Sequence, residues 1–171
     1  MKLKQIVLFL LAVVLLGNVA IGCTVPESQL EKALGNYEKT VSGEIPDDLR
    51  LTVYYVGPKF LTRHPLSVED LKNFSMTQKI VVNSEELAAN TEVLRKLDAS
   101  ALQPVEDEDF YINARLYYVL ETDESEILLE VIISEINGTA VVNGINVESN
   151  PVLYEIITPF LTAEACDLWG L

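Results

Sequence analysis

From Phe110 onward the chain alternates apolar and other residues with a period of two. The even positions Phe110, Ile112, Ala114, Leu116, Tyr118 and Leu120 are apolar, and beyond Thr122-Asp123-Glu124-Ser125 the odd positions Ile127, Leu129, Val131 and Ile133 take over. Successive side chains of a strand point to opposite faces, so this pattern predicts a hairpin with one continuous apolar face. Pairing Glu121 with Glu126 sets Leu120 opposite Ile127, Tyr118 opposite Leu129, Leu116 opposite Val131 and Ala114 opposite Ile133. Asn137-Gly138 then supplies a tight turn into a third strand through Val141 and Val142. A second Asn-Gly at 143–144 leads through Ile145 and Val147 to Asn150-Pro151, where cap and first-turn proline open a helix carrying Val152, Leu153, Ile156, Ile157 and Phe160. Pro159 should end or kink that helix.

The earlier half alternates strand and helix signals. Leu51-Thr52-Val53-Tyr54-Tyr55-Val56 is β-rich and stops at Gly57-Pro58. Ser67-Val68-Glu69-Asp70 predicts a helix start, because the Ser67 hydroxyl can accept from the Asp70 amide while Asp70 reaches back. Lys79 to Asn83 is a compact strand, and Ser84 is expected to cap the following helix. That helix carries Leu87, Leu94 and Leu97 on one side, with acids in its first turn and Arg95-Lys96 in its last. The order β-α-β-α-β-β-β-α predicts an α+β domain: an antiparallel sheet of about four to five strands with a C-terminal three-stranded meander and helices mainly on one face.

The hairpin's second face is the candidate partner surface. It carries Tyr111, Asn113, Arg115, Tyr117 and Val119 beside Leu128, Glu130, Ile132, Ser134 and Ile136, less polar than a solvated sheet and less apolar than a core. Tyr111, Arg115, Tyr117 and Ile132 are its candidate contact residues, with Arg115 diagonal to Glu130 as a local ion pair. The alternative is a helix covering this face as well.

The N-terminus changes the picture of where the domain works. Lys2 and Lys4 precede Ile6 to Leu16, a run with no polar residue, and Ala20-Ile21-Gly22-Cys23 follows. This segment resembles the export signal and lipobox of bacterial lipoproteins. The resemblance implies cleavage before Cys23, a diacylglycerol on its sulfur and attachment to the membrane through that anchor. Ala20-x-Gly22 also suits ordinary signal peptidase, giving a secreted protein, and the apolar run could instead remain as a short anchor. The expected organisation is a signal peptide over 1–22, a lipid anchor and tether with a short helix over 23–49, and one α+β domain over 50–171.

Charge narrows the partners. The 171-residue chain has 12 Lys and Arg against 26 Asp and Glu, a net charge of −14, and mean hydropathy of +0.24. That excess of acid argues against nucleic acid as a partner. Residues 1–22 contain two lysines and no acid, so the anchored chain is more acidic still, and it would be repelled by anionic headgroups. No Lys or Arg follows Arg115, whereas ten acids do.

Candidate chemistry is sparse. His64, the only histidine, lies between Arg63 and Pro65 in a loop, and Cys166 sits in an apolar tail without a basic neighbour to activate it. If Cys23 is not lipidated, a bridge to Cys166 is its other use. The runs Glu106 to Asp109 and Asp123 to Glu126 lack the spacing of a calcium loop. No cofactor is predicted. The reading is therefore a membrane-anchored extracytoplasmic binding or interaction module, with a secreted carboxylate-dependent hydrolase and a structural envelope protein as the alternatives.

Overall fold

Among the described residues, pairing of the alternating segments builds a six-stranded antiparallel sheet in which Gln78–Val82, Arg50–Tyr55, Ala114–Glu121, Ile127–Ser134, Thr139–Val142 and Ile145–Glu148 lie side by side in that order. The computed structural model describes residues 28–105, 112–134 and 138–171, so the segment 1–27, the acidic run 106–109, Phe110, Tyr111 and Asn137 lie outside the described residues. In chain order the elements are α1 (Gln29–Ser42), β1 (Arg50–Tyr55), α2 (Val68–Asn73), β2 (Gln78–Val82), α3 (Ser84–Ala89), α4 (Thr91–Leu94), β3 (Ala114–Glu121), β4 (Ile127–Ser134), β5 (Thr139–Val142), β6 (Ile145–Glu148), α5 (Val152–Glu155) and α6 (Ala163–Trp169). The class is α+β, as the element order predicts. The extra strand is β6: Asn143 and Gly144, at φ 46° and 79°, make a two-residue turn that returns the chain along β5. The outer edge of β6 is closed in turn, since Val105 donates to the Asn146 carbonyl and Glu148 to that of Gln103, each at 2.9 Å.

From Leu116 to Leu120 and from Leu129 to Ile133 the hairpin faces are as predicted, but its register is not. Leu116 lies opposite Ile133, Tyr118 opposite Val131 and Leu120 opposite Leu129, while Glu121 is opposite Ile127. Leu128 is thus an inserted residue, and the pairing beyond it is displaced by two positions. An even displacement leaves every side chain on its own face, which is why the alternation read the core correctly and the partners wrongly. The insertion carries Leu128 into the main core and leaves Ile127 on the opposite face, 51% exposed. A second irregularity at Arg115 sets Ala114 against Ser134 and moves it from the predicted main face to the second one.

The segment expected to be a tether is part of the core. Ser28 accepts from the Glu31 amide at 3.1 Å while Glu31 accepts from the Ser28 amide at 2.6 Å, a complete capping box. Behind it Leu30, Leu34, Tyr37 and Val41 form a helical stripe buried against the sheet. The Tyr37 hydroxyl donates to the Leu94 carbonyl at 2.6 Å, and Arg95 donates to the carbonyls of Val41 and Ser42, satisfying the exposed C-terminal end of α1. The domain core therefore includes α1 and is not confined to residues from 50 onward.

Smaller differences have local causes. Asn83, not Ser84, caps α3, accepting from Glu86 at 3.0 Å, while the Ser84 hydroxyl donates to Asp47. The helix expected to run on to Lys96 breaks at Asn90, whose backbone leaves the helical region. The capped start at Asn150-Pro151 does form, with Asn150 accepting from Val152 at 2.9 Å, and the helix has given way to a 3-10 turn at Thr158–Phe160 where Pro159 sits.

Asn143 ties these layers together. Its side chain accepts from the Glu130 amide at 2.6 Å and donates to the carbonyls of Leu128 at 3.1 Å and Ala33 at 2.7 Å, so one turn residue satisfies the bulged end of β4 and fastens α1 to it. Asn143→Gly keeps the turn and loses all three bonds; it is expected to cost about 2–3 kcal/mol in urea unfolding, and no change would remove Asn143 from this role. Leu116→Ala and Val131→Ala, both fully buried, should each cost about 2–4 kcal/mol, and an unchanged unfolding midpoint for either would mean that the hairpin faces are reversed.

Candidate functional site

The second face of the sheet is covered at one end only. Ser67 starts α2, accepting from the Asp70 amide at 3.0 Å and donating its hydroxyl to the Asp70 carboxylate at 2.6 Å. These bonds from the Ser67 hydroxyl and amide hold the Asp70 carboxyl below its ordinary value. The helix so fixed presses Leu71 into a second apolar cluster with Val56, Leu66, Ala114, Tyr117, Val119, Ile132 and Val141.

This cover disposes of most of the predicted partner surface. Arg115, Tyr117 and Ile132 are 5%, 2% and 7% exposed, packed beneath α2 and the loop before it, and Tyr111 lies outside the described residues. The irregularity at Arg115 turns its guanidinium toward that loop, where it donates to Thr62 at 3.1 Å. The expected pairing with Glu130 gives way to a bond from the Tyr117 hydroxyl to Glu130 at 3.0 Å. Burial first, and the Glu130 charge second, push the Tyr117 hydroxyl above its ordinary value.

Because α2 has only six residues, the β2–β1–β3 end of this face stays open as a hollow of about 340 Å³. Its floor follows from strand pairing. Tyr54 on β1 lies directly between Lys79 on β2 and Tyr117 on β3; two residues along, Thr52 lies between Val81 and Val119; two further, Arg50 faces Glu121. From the last turn of α2, Lys72 places its ammonium 4.6 Å from the Tyr117 ring centre and 5.9 Å from that of Tyr54, and Lys79 stands 5.2 Å from Tyr54. Arg50 is paired with Glu121 at 3.1 Å, whereas among the described residues neither Lys72 nor Lys79 has a carboxylate within ion-pair distance. The hollow thus joins two lysines without an ion-pair partner, an aromatic floor, the apolar side chains of Val81, Val119 and Ile127, and the Arg50–Glu121 pair. Of the four predicted contact residues, Tyr117 is the one among the described residues that lines it, together with Val119 of the same predicted face. Tyr54, Lys72 and Lys79 were not singled out from sequence; their signal was the shared parity of Arg50, Thr52 and Tyr54 and of Lys79 and Val81, which acquires meaning only when β1 is known to pair with both β2 and β3.

A larger groove of about 840 Å³ lies beside α5, with Val93, Pro151, Tyr154, Pro159 and Leu171 in its walls. Its cation, Lys96, is neutralised by Glu155 at 3.0 Å, so it offers mainly apolar surface. Elsewhere chemistry is thin. His64 is exposed in its loop and Cys166 is half-buried on α6, with Cys23 outside the described residues. Asp98 is held below its ordinary value, chiefly by a bond from Ser100, and serves as a helix cap. Among the described residues no cluster of three His, Cys, Asp or Glu side chains is arranged to hold a metal, and no helix is long and apolar enough to cross a membrane.

Tyr37, Tyr117 and Tyr118 all resist ionisation, mainly through burial. Unfolded tyrosines ionise near pH 10, so above about that pH the unfolded state sheds protons that the folded state keeps. Stability should accordingly be intact below about pH 10 and fall as pH rises further. In a titration of tyrosinate absorbance, part of the signal from the seven tyrosines should appear only together with loss of near-ultraviolet circular dichroism; ionisation of all seven with the fold intact would contradict this burial. No family model, curated protein or solved structure matches this chain.

Proposed function

We propose that the protein is an extracytoplasmic binding module held at a bacterial membrane by a lipid on Cys23. The observation that carries the anchor is a coincidence of boundaries. The lipobox-like segment ends at Cys23, and the first capped helix of the domain starts at Ser28. Five residues span at most about 17–18 Å, so the domain stands directly on its anchor with no long spacer. An acidic domain gains nothing from anionic headgroups, so its own surface does not supply the attachment, and the lipobox-like Cys23 is the residue we assign to it.

Binding is favoured over hydrolysis by the kind of surface present. Hydrolysis by paired carboxyls calls for one acid raised in pKa beside another that stays ionised. Among the described residues the carboxyls that depart from ordinary values, Asp70 and Asp98, are both lowered and both committed to helix caps. The hollow over Tyr54 instead offers two lysines over tyrosine rings beside the apolar side chains of Val81, Val119 and Ile127, a combination suited to ligand recognition.

Intact mass of the membrane-extracted protein tests the anchor. A chain beginning at Cys23 with added diacylglycerol is expected, and Cys23→Ser should leave the membrane fraction. An unmodified Cys23 or a retained Met1 would overturn the assignment.

A further inference from the structure

We infer that the hollow over Tyr54 binds a small soluble amphipathic anion, a carboxylate or phosphate carried on a single ring or short apolar body, with Lys72 and Lys79 holding the anionic head. This deepens the binding half of the proposed function and does not depend on the anchor.

Charge is the first argument. Acids outnumber bases more than two to one in the whole chain, yet two lysines converge here with no carboxylate of the described residues within ion-pair distance of either, and the Glu121 carboxylate in the same hollow is held by Arg50. The tyrosine rings hold both ammoniums in place, through attraction to their faces, without cancelling the charge. Cations already positioned lose less freedom when a ligand arrives. Carboxylates or phosphates are the groups that such a pair of ammoniums recognises.

Shape supplies the second. Two residues along a strand are about 7 Å, so the Val81 row lies that far from the lysine row and the Arg50–Glu121 pair closes the far end at about 14 Å. Val81 and Ile127, 52% and 51% exposed, offer apolar contact to the ligand's body. At about 340 Å³ the hollow accommodates a ring and not an acyl chain.

Calorimetric titration of the full chain in nonionic detergent with phenyl phosphate tests this. Saturable binding of one equivalent is expected, with inorganic phosphate and phenol each weaker by about tenfold or more. Lys72→Gln and Lys79→Gln, both at exposed positions, should each weaken phenyl phosphate about tenfold, while Lys59→Gln, an exposed cation outside the hollow, leaves it unchanged. Ile127→Ser should weaken phenyl phosphate and not inorganic phosphate. Absence of saturable binding, an equal loss in Lys59→Gln, or inorganic phosphate binding as tightly as phenyl phosphate would each overturn the inference. Competition by phosphatidylglycerol added to the micelles would assign the head to a lipid and overturn the soluble ligand. The Cys23→Ser chain should bind as the lipidated one does, so loss of the anchor and failure of the site are read separately.

Discussion

The structure depends on burying β3 on both faces. Of its eight residues only Glu121 escapes full burial, so neither parity of its side chains can be left to water. Leu116, Tyr118 and Leu120 require the helical layer of α1 and α3 to α6; Tyr117 and Val119 require cover from the opposite side. Burial of this much apolar surface is the dominant favourable term in folding, and it recruits even the segment beginning at Ser28 as a layer of the core. Two tyrosines make the layers specific as well as apolar. Tyr118 donates to the Leu153 carbonyl at 2.8 Å and Tyr37 to that of Leu94, each bond joining different elements across the main core.

Incomplete cover of the second face creates the candidate site. Had α2 been longer, the row Lys79-Tyr54-Tyr117 would have been buried and its lysines driven outward, since an unpaired ammonium is costly in an apolar interior. The charge asymmetry along the chain becomes spatial through strand order. The cations of β1, α2 and β2 collect at one end of the sheet, while β4 to β6, which lie in the stretch without Lys or Arg, form the other.

Bulges and the cover of α2 separate the hairpin's second face from its reading by alternation. Alternation assigns a side chain to a face, and for Tyr117 and Ile132 that assignment stands. It carries no information on what lies above the face. The helical stripe from Leu30 to Val41 meets the same limit, because a stripe alone does not say whether its apolar side meets this domain or another surface. Nor does spacing reveal that Arg95, read as a favourable charge at its own helix end, donates to the end of α1.

The sequence by itself determined the local elements: the period of two across the hairpin, the box at Ser67, the turn at Asn143-Gly144, the opening at Asn150 and the stop at Pro159. Each rests on bonds or sterics within a few residues, so the local chain holds the information. Tertiary structure alone decided the register beyond Leu128, the face of Ala114, the inclusion of α1 and the meeting of Lys72, Lys79, Tyr54 and Tyr117. These come from segments far apart along the chain, and they are settled by which pairing buries most apolar surface while leaving no backbone group unsatisfied, a competition among all segments at once.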